Sequence, residues 1–580
     1  MAHVGQIFSC MALAFGVLFF IFAVKYYIAI IIALLGDNRG SRNGGQIGHP
    51  RGDSALICLE QKEERASDGS ESNGGGCRRY HDDVEPFISI HLPFYNERNV
   101  ARRVIQACVD IDYSNYEILI IDDSRDETIE ILKELCRRRG PPTIKVVHRR
   151  DRRGFKGGAL AEALRHMDPR AEYIMVFDAD FIPPPDIIRQ FLVYFEDRNE
   201  SEGDGQRVAA VQGYQLHHLN KKENWITRGV RAEFSGSYMI ERTAEEFFGA
   251  MKMISGSVFM LKADVARELG WTTSLTEDWD LTLRLYMGGY KVAYTPLIQA
   301  PAEIPTTIRR LAGQRMRWAE GHTFAVKRHF WGVLRSPMIT IREKLEFLYF
   351  VPYYLQSLFF MAGTLCWIIS ELLHQHPWFW METFGWCLVL SNLLALPLMS
   401  LAGLFLEQTA LEDFTGIFSF IALSYIMAPF QAYAALKGLL EGEEGTWIRT
   451  LKTGSITDKL LQIRVRKLFS WVLPERRRRA VKRKAKRDHN PSAIALLCLV
   501  LMSSLIMGVA IAAMSKPEGE VWLKSDPRGT AYYIDYGSVA KRPRIEFPGI
   551  VMFDRALPLI LGAPLISLVV LRLKGGGEEG

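Results

Sequence analysis

The chain of 580 residues contains eight cysteines but no C-x-x-C pair, and the spacing of Cys10, Cys58, Cys77, Cys108, Cys136, Cys366, Cys387 and Cys498 does not suit zinc. The thiols therefore read as reduced and mostly structural, in a reducing compartment. No dinucleotide-type G-x-G-x-x-G turn joins a strand to a helix and no Walker-type Gly-Lys-Ser/Thr is present, so dehydrogenase and P-loop readings lose their main support. The net charge is only +6 and is concentrated locally, which gives no reason to invoke nucleic acid. No Lys or Arg precedes the first apolar segment, Ile7 to Leu35, and its apolar core is too long for a cleaved signal peptide.

The composition suggests a globular domain joined to a membrane domain: 23% of residues are charged, yet mean hydropathy is +0.01. Ile7 to Leu35 is long enough to span a bilayer. Arg39, Arg42 and Arg51 follow it, which predicts an external amino terminus and a cytoplasmic next segment. Gly36 to Asp83 is rich in Gly, Ser and charge and reads as a flexible tether.

From Pro86, short apolar runs alternate with amphipathic helices, the pattern of a mostly parallel α/β sheet. Phe87 to Leu92 is a predicted strand that breaks at Pro93 and leads to Glu97. Glu117 to Ile121 is a second, ending in Asp122-Asp123, with Asp126 placed to cap the next helix. Ile144 to Val147 is a third, leading into a basic, glycine-bearing run from His148 to Leu160 that contains Lys156. Tyr173 to Phe177 is an apolar strand that ends in Asp178-Ala179-Asp180, followed by Pro183-Pro184-Pro185.

Open α/β sheets bind ligands at the carboxyl ends of their strands. Acids there can hydrogen-bond a base and ribose, a divalent cation on Asp180 can neutralise a diphosphate, and Lys156 can add a point charge. Asp178 and Asp180 could equally cap loop amides, and Arg149 to Arg153 could be a solvated basic loop. Val208 to Gln212 and Ile254 to Phe259 read as further strands, the second with Ser255-Gly256-Ser257 at its centre. Thr276-Glu277-Asp278-Trp279-Asp280 is a second acidic cluster. Thr276 is positioned as an N-cap, and the acids either complement a helix dipole or include a general base for an acceptor hydroxyl.

The order Asp122-Asp123, Asp178-Ala179-Asp180, Thr276-Glu277-Asp278, then Gln314-Arg315-Met316-Arg317-Trp318 before a membrane region resembles processive family 2 glycosyltransferases. Pro301 to Pro305, Glu277 to Leu281 and the Gly-Phe-Lys-Gly-Gly-Ala-Leu run look most like cellulose-synthase-like mannan and glucan synthases of plants and their microbial relatives. The resemblance covers Pro86 to about Gly454 and implies a GT-A domain, a Rossmann-like nucleotide-diphospho-sugar transferase fold, joined to an α-helical transmembrane domain.

By position, it implies that Asp122 or Asp123 contacts the nucleobase, Asp178 the nucleotide and Asp180 an Mg²⁺ or Mn²⁺ ion. Asp278 becomes the base of an inverting displacement with Glu277 beside it, and Arg317 and Trp318 hold the diphosphate and the acceptor end of the glycan. Pro93, Glu97 and Gln314 are counted with the substrate-binding residues. Trp318 could instead be a membrane-interface anchor. Trp447 to Gly454 resembles a gating-loop motif, with Trp447 in place of the usual Phe and Arg449 where many relatives have Val. Gly313 stands where relatives often carry Gln.

The expected layout is a helix over 1–35, a linker over 36–85, the transferase over 86–340, membrane helices over 341–445, a gating-like and basic cytoplasmic segment over 446–490, and a membrane pair with an external loop over 491–580. Phe347 to Leu372, Phe384 to Leu406, Phe414 to Leu436, Ala493 to Met514 and Leu557 to Leu571 are apolar enough to span. The basic stretches on either side of the central group, Arg309 to Lys344 and Arg464 to Arg487, call for an even number of crossings between them. Three apolar segments are visible there, so either Trp378 to Leu406 is a tight pair or the segment holding Pro429 and Gln431 does not span; the second is preferred, because polar residues at membrane depth usually line a cavity or another helix.

The leading expectation is a multi-pass plasma-membrane synthase with a cytoplasmic catalytic domain, using a UDP- or GDP-linked sugar and a growing glycan acceptor among membrane lipids. The rivals are a transferase adding one sugar to ceramide or polyprenyl phosphate, and a polytopic scaffold or transporter with an inactive transferase domain.

Overall fold

The computed structural model describes residues 2–40, 85–136, 140–201, 207–375, 382–445, 452–457, 522–525 and 532–535. Their apolar runs form seven strands of one sheet: β1 (Ile88–Phe94), β2 (Tyr116–Asp122), β3 (Thr143–His148), β4 (Tyr173–Val176), β5 (Arg207–His217), β6 (Phe259–Lys262) and β7 (Tyr290–Ala302). Their order is β3-β2-β1-β4-β6-β5-β7. β1 to β4 are parallel, β6 is antiparallel to both neighbours, and β5 and β7 run parallel.

Because β2 is buried along its whole length, helices must cover both faces of the sheet, as the two apolar clusters on either side show. The helices of the described residues are α1 (Ala2–Gly40), α2 (Ala101–Val109), α3 (Thr128–Cys136), α4 (Phe155–His166), α5 (Ile187–Ser201), α6 (Trp225–Gly236), α7 (Arg242–Phe247), α8 (Ala263–Leu269), α9 (Glu277–Met287), α10 (Ile308–Arg335), α11 (Ile341–Phe350), α12 (Leu355–Leu372), α13 (Glu382–Leu406), α14 (Ala410–Asp413) and α15 (Thr415–Leu440). Asp126 caps α3 through the Thr128 amide at 3.0 Å, and its Leu132 is buried.

Four sequence expectations need correcting. β1 does not break at Pro93 but continues to Phe94, paired with β2 alone. The His91 carbonyl faces β4 and the Phe94 carbonyl faces β2, so alternation turns Pro93 towards β4, whose ladder has already ended. Ile254 to Val258 is not strand: Gly256 and Val258 have φ of 75° and 57°, a turn incompatible with a pleat, so β6 starts at Phe259. The basic run is loop only as far as Gly154, after which Phe155 starts α4, so Lys156 lies in a first helical turn. β7, unrecognised in the sequence, supplies the edge beside β5.

The chain divides into two compact units: Met1–Tyr27 with Cys366–Leu398 and Ala485–Gly580, and Ile28–Leu365 with Met399–Lys484. In the first, the Tyr27 hydroxyl donates to the Ser391 carbonyl at 2.7 Å and the Asn392 amide to the Gly16 carbonyl at 3.0 Å. Its strands β8 (Trp522–Ser525) and β9 (Tyr532–Asp535) form an antiparallel pair within the expected external loop.

Among the described residues, four helices are long and apolar enough to cross a membrane: His3–Leu35, Leu355–Leu372, Leu388–Leu406 and Thr415–Leu440. Two differ from the sequence expectation. Phe347 to Phe350 end α11, and Pro352 lies in the turn before α12; α1 runs to Gly40, into the expected tether. The segments Ala493 to Met514 and Leu557 to Leu571, the basic Arg464 to Arg487, and Trp447 and Arg449 lie outside the described residues.

In the second unit, α15 lies against α6 and α10, burying ten residues from Gly416 to Gly438. The approach is close: a β-carbon on Gly416 would be driven into the Arg228 carbonyl, and one on Gly438 into the Glu320 carbonyl. A buried ionic group fixes the same region, with Arg231 and Tyr214 both bonded to Glu407 and Lys221 to Asp413 at 2.9 Å. Breaking one partner of such a group costs about 3–5 kcal/mol, because a buried charge is left uncompensated.

Candidate active site

The parallel strands point their carboxyl ends to one edge of the sheet, and the antiparallel β6 starts there. Asp122, His148, Asp178, His217, Gly256 and Glu303 are thereby gathered from positions far apart in the chain. Their carboxylates fall into three groups distinguished by the cations that meet them.

At the ends of β2 and β3, the Asp122 carboxylate meets His148 Nδ1 at 2.8 Å and accepts the Ser124 amide at 3.0 Å. Asp123 is gripped by Arg149 through two contacts, of 2.6 and 2.5 Å. Burial raises the Asp123 pKa, and the Arg149 charge only partly offsets this. Arg152 lies 3.4 Å over the Tyr95 ring, forming an aromatic and guanidinium wall beside this pair.

At the end of β4 the two acids of Asp-Ala-Asp part company. Asp180 is 1% exposed and binds Lys452 Nζ at 2.6 Å, while also accepting the Glu303 amide at 3.1 Å. Burial works to raise its pKa, but Lys452 outweighs this and holds it below the usual range. Glu303 in turn pairs with Arg103 at 2.8 Å and accepts the Thr453 amide at 2.9 Å. Glu97, buried where β1 gives way to α2, adds its charge to the field around Lys452. Pro93 stands just before it at the end of β1.

Asp178, its side chain 41% exposed, faces the other way and pairs with Lys156 at 2.7 Å. Lys156 also lies 3.3 Å from Glu277 and donates to the Gly256 carbonyl at 2.7 Å. Burial opposes its charge, but Asp178 and Glu277 prevail and raise its pKa. The ammonium thus bridges the end of β4 to the start of α9.

Asp278 and Asp280 share that first helical turn and differ sharply. Burial and the neighbouring Glu277 charge push Asp278 up to about 7. Burial acts the same way on Asp280, but His329, Arg284 and Thr272, each at 2.8 Å, hold it down at about 2. Asp280 is thus a structural acid, and Asp278 is poised to exchange a proton. Thr276 stands at the N-cap position as expected but makes no side-chain cap bond; its carbonyl accepts the Asp280 amide at 3.1 Å.

From α10, Arg317 contacts the Leu275 carbonyl at 3.5 Å, one turn before Asp278. Gln314 is buried. Trp318 is half-buried on the aromatic cluster of α6 with the Arg315 guanidinium 4.6 Å over its ring, and Arg315 itself pairs with Glu233 at 2.7 Å. The structure therefore joins Lys156, Asp178, Glu277 and Asp278 in one group, Asp180 and Glu97 in a second, and Asp122 and Asp123 in a third. Arg103 and His217 carried no signal in the sequence, since their partners are remote. Buried His217, its ring tilted against that of Phe234 with centroids 3.9 Å apart, lies near Asp180, and burial lowers its pKa to about 4.

Residues 89–270 match the family described as Glycosyl transferase family 2. The chain is 25% identical over 393 residues to glucomannan 4-beta-mannosyltransferase 1 of Oryza sativa subsp. japonica, covering 64% of this chain and 70% of that protein. It is 26% identical over 402 residues to glucomannan 4-beta-mannosyltransferase 7 of Arabidopsis thaliana, covering 64% and 67%. Among solved structures, it is similar to the mannosyltransferase PcManGT of Pyrobaculum calidifontis in complex with GDP-Man and Mn²⁺, with a TM-score of 0.41 and 17% identity over 72% of this chain and 100% of that one. Strand order, acid-bearing sheet edge and the match over residues 89–270 agree: the chain carries a glycosyltransferase domain of the family 2 kind and is similar to the plant glucomannan mannosyltransferases.

Proposed function

We propose that the protein is an inverting transferase that builds a β-linked glycan from a nucleotide-linked hexose, with Asp278 as its base, and passes the product across the membrane. The observation that carries this reading is Asp278 itself. A carboxylate raised to about 7 beside a cation-bridged donor site can take a proton near neutral pH, and its neighbour Asp280 cannot. Asp278 takes the proton of an acceptor hydroxyl as the oxygen bonds to the anomeric carbon. The bond from that carbon to the donor phosphate breaks on the opposite face, and the nucleoside diphosphate leaves. One displacement inverts an α-linked donor to a β-linkage. The names of the relatives make a mannosyl donor, GDP- or UDP-linked, the first to test.

The residues suit a divalent cation. Asp180 already holds a positive group, the Lys452 ammonium, and among the described residues no three His, Cys, Asp or Glu side chains cage a metal. Such a site matches a hard ion that takes one or two carboxylates and completes its shell with phosphate oxygens. Asp180 would hold Mg²⁺ or Mn²⁺, which would supply charge neutralisation to the departing diphosphate, while Asp178 serves the nucleotide. Asp122 and Asp123 stand ready for the base and ribose, and Arg317 and Trp318 for the diphosphate and acceptor.

The crossing count supports an inward-facing catalytic domain if α15, laid along α6 and α10, does not span. Purified protein in lipid, given labelled GDP-mannose, UDP-glucose and UDP-N-acetylglucosamine in turn with Mg²⁺ or Mn²⁺, tests the reading. A polymer digestible by a β-glycanase is expected; only organic-extractable monoglycosylated lipid would overturn it.

A further inference from the structure

The chain leaving α15 reaches back to the catalytic turn through one side chain. Of the acids Glu441, Glu443 and Glu444, only Glu444 is turned inward. Its carboxylate accepts the Ser274 hydroxyl at 2.8 Å and the Leu275 amide at 3.0 Å. The Ser274 oxygen in turn accepts the Thr276 amide at 3.3 Å. Donated bonds thus run from Thr276 through Ser274 to Glu444, ending immediately before Glu277 and Asp278.

The turn needs such support, because α9 begins without a side-chain cap. On its inner faces it is closely packed: Gly157 of α4 leaves no space beside the Thr272 carbonyl, and Gly321 of α10 none beside Thr276, while among the described residues the 274–276 stretch receives only the long Arg317 contact to the Leu275 carbonyl from α10. Glu444 itself is firmly based. The Gly445 amide donates to Glu320 of α10 at 2.7 Å, Lys437 donates to the same carboxylate at 2.8 Å, and Lys327 donates to the Leu439 and Glu441 carbonyls at 3.1 and 2.5 Å.

We infer that Glu444 is a positioning residue for catalysis: it fixes the 274–276 turn and so the direction in which Asp278 enters the site. This rests on the assignment of Asp278 as base. Glu444 bonds to Ser274 and Leu275 and acts through them, so its loss acts on the chemical step and on the environment of Asp278, not on donor binding.

The test compares Glu444→Ala, Glu444→Gln, Ser274→Ala, the Glu444→Ala/Ser274→Ala double variant and exposed Glu443→Gln, all in the full-length protein in lipid. For Glu444→Ala, kcat should fall about tenfold or more, as misplaced catalytic groups do, and the acid limb of the kcat profile should move. Donor KM should stay within about twofold. Glu444→Gln, whose amide oxygen can take one of the two bonds, should recover part of the rate. The double variant should be no worse than the worse single one, and Glu443→Gln should match the parent.

An unchanged kcat and acid limb in Glu444→Ala overturns the inference, as does a loss that is additive with Ser274→Ala and leaves the limb in place. Should Glu444→Ala not fold, Glu444→Gln and Ser274→Ala decide the question through the same limb: a shift supports the positioning role and a fixed limb overturns it. Asp278→Asn, run alongside, separates the two levels: full activity there overturns the base assignment itself, whereas its loss beside an unaffected Glu444→Ala overturns only the positioning role.

Discussion

The end of β4 and the start of α9 both concentrate acids, and they handle them in opposite ways. At Asp180 the nearest acids have cations in direct contact: Lys452 answers Asp180 and Arg103 answers Glu303, so the Asp180 carboxylate stays ionised although fully buried. At Asp278 one ammonium, Lys156, must serve Asp178 and Glu277 as well, and Asp278 is left with a raised pKa. Two residues further on, Asp280 has three partners of its own and behaves like Asp180. The number of partners available, rather than burial alone, decides which carboxylate can act as a base and which can hold a cation.

This contrast can be broken by substitution. The largest effect expected is from Asp278→Asn, which should cut transfer about 10²–10⁴-fold, the usual worth of a general base, with donor binding by calorimetry preserved. Next, Asp180→Asn should weaken Mn²⁺ binding, followed by its paramagnetic resonance signal, by more than about tenfold; unchanged binding would move the ion elsewhere.

Asp280→Asn should cost about 1.5–3 kcal/mol of thermal stability for each charge-assisted bond lost, while kcat falls far less than in Asp278→Asn. The smallest effect sharpens the comparison through pH. As pH rises through about 7, Asp278 sheds its proton and kcat should rise. Glu277→Gln removes a charge that opposes this ionisation, so the limb should shift to lower pH. A limb that stays or moves upward would show that Glu277 is not what raises Asp278.

Much of this was legible in the chain. Apolar runs ending in Asp122-Asp123 and Asp178-Ala179-Asp180 place acids at a sheet edge on elementary grounds, and the structure puts them there. What the sequence could not convey is who answers each acid. Lys452 lies 272 positions from Asp180 and Arg103 lies 200 from Glu303, and nothing local to either residue announces such a partner. The same holds for Pro93, which is an apparent strand breaker until β4 is seen to have ended on that side. Ile254 to Phe259 read as strand with Ser255-Gly256-Ser257 at its centre, yet Gly256 there takes a positive φ that a pleat does not accommodate.

The seam between α6 and α15 has a further meaning. A β-carbon on Gly229 would lie 2.7 Å from the Leu423 side chain and 2.9 Å from the Phe420 nitrogen, and one on Gly416 2.5 Å from the Arg228 carbonyl oxygen, so the two helices approach with no room for a larger residue at either position. Close packing of this kind resists small displacements. Since Glu444 lies just past the end of α15 and bonds to Ser274, the position of that helix and the position of the catalytic turn are tied to each other.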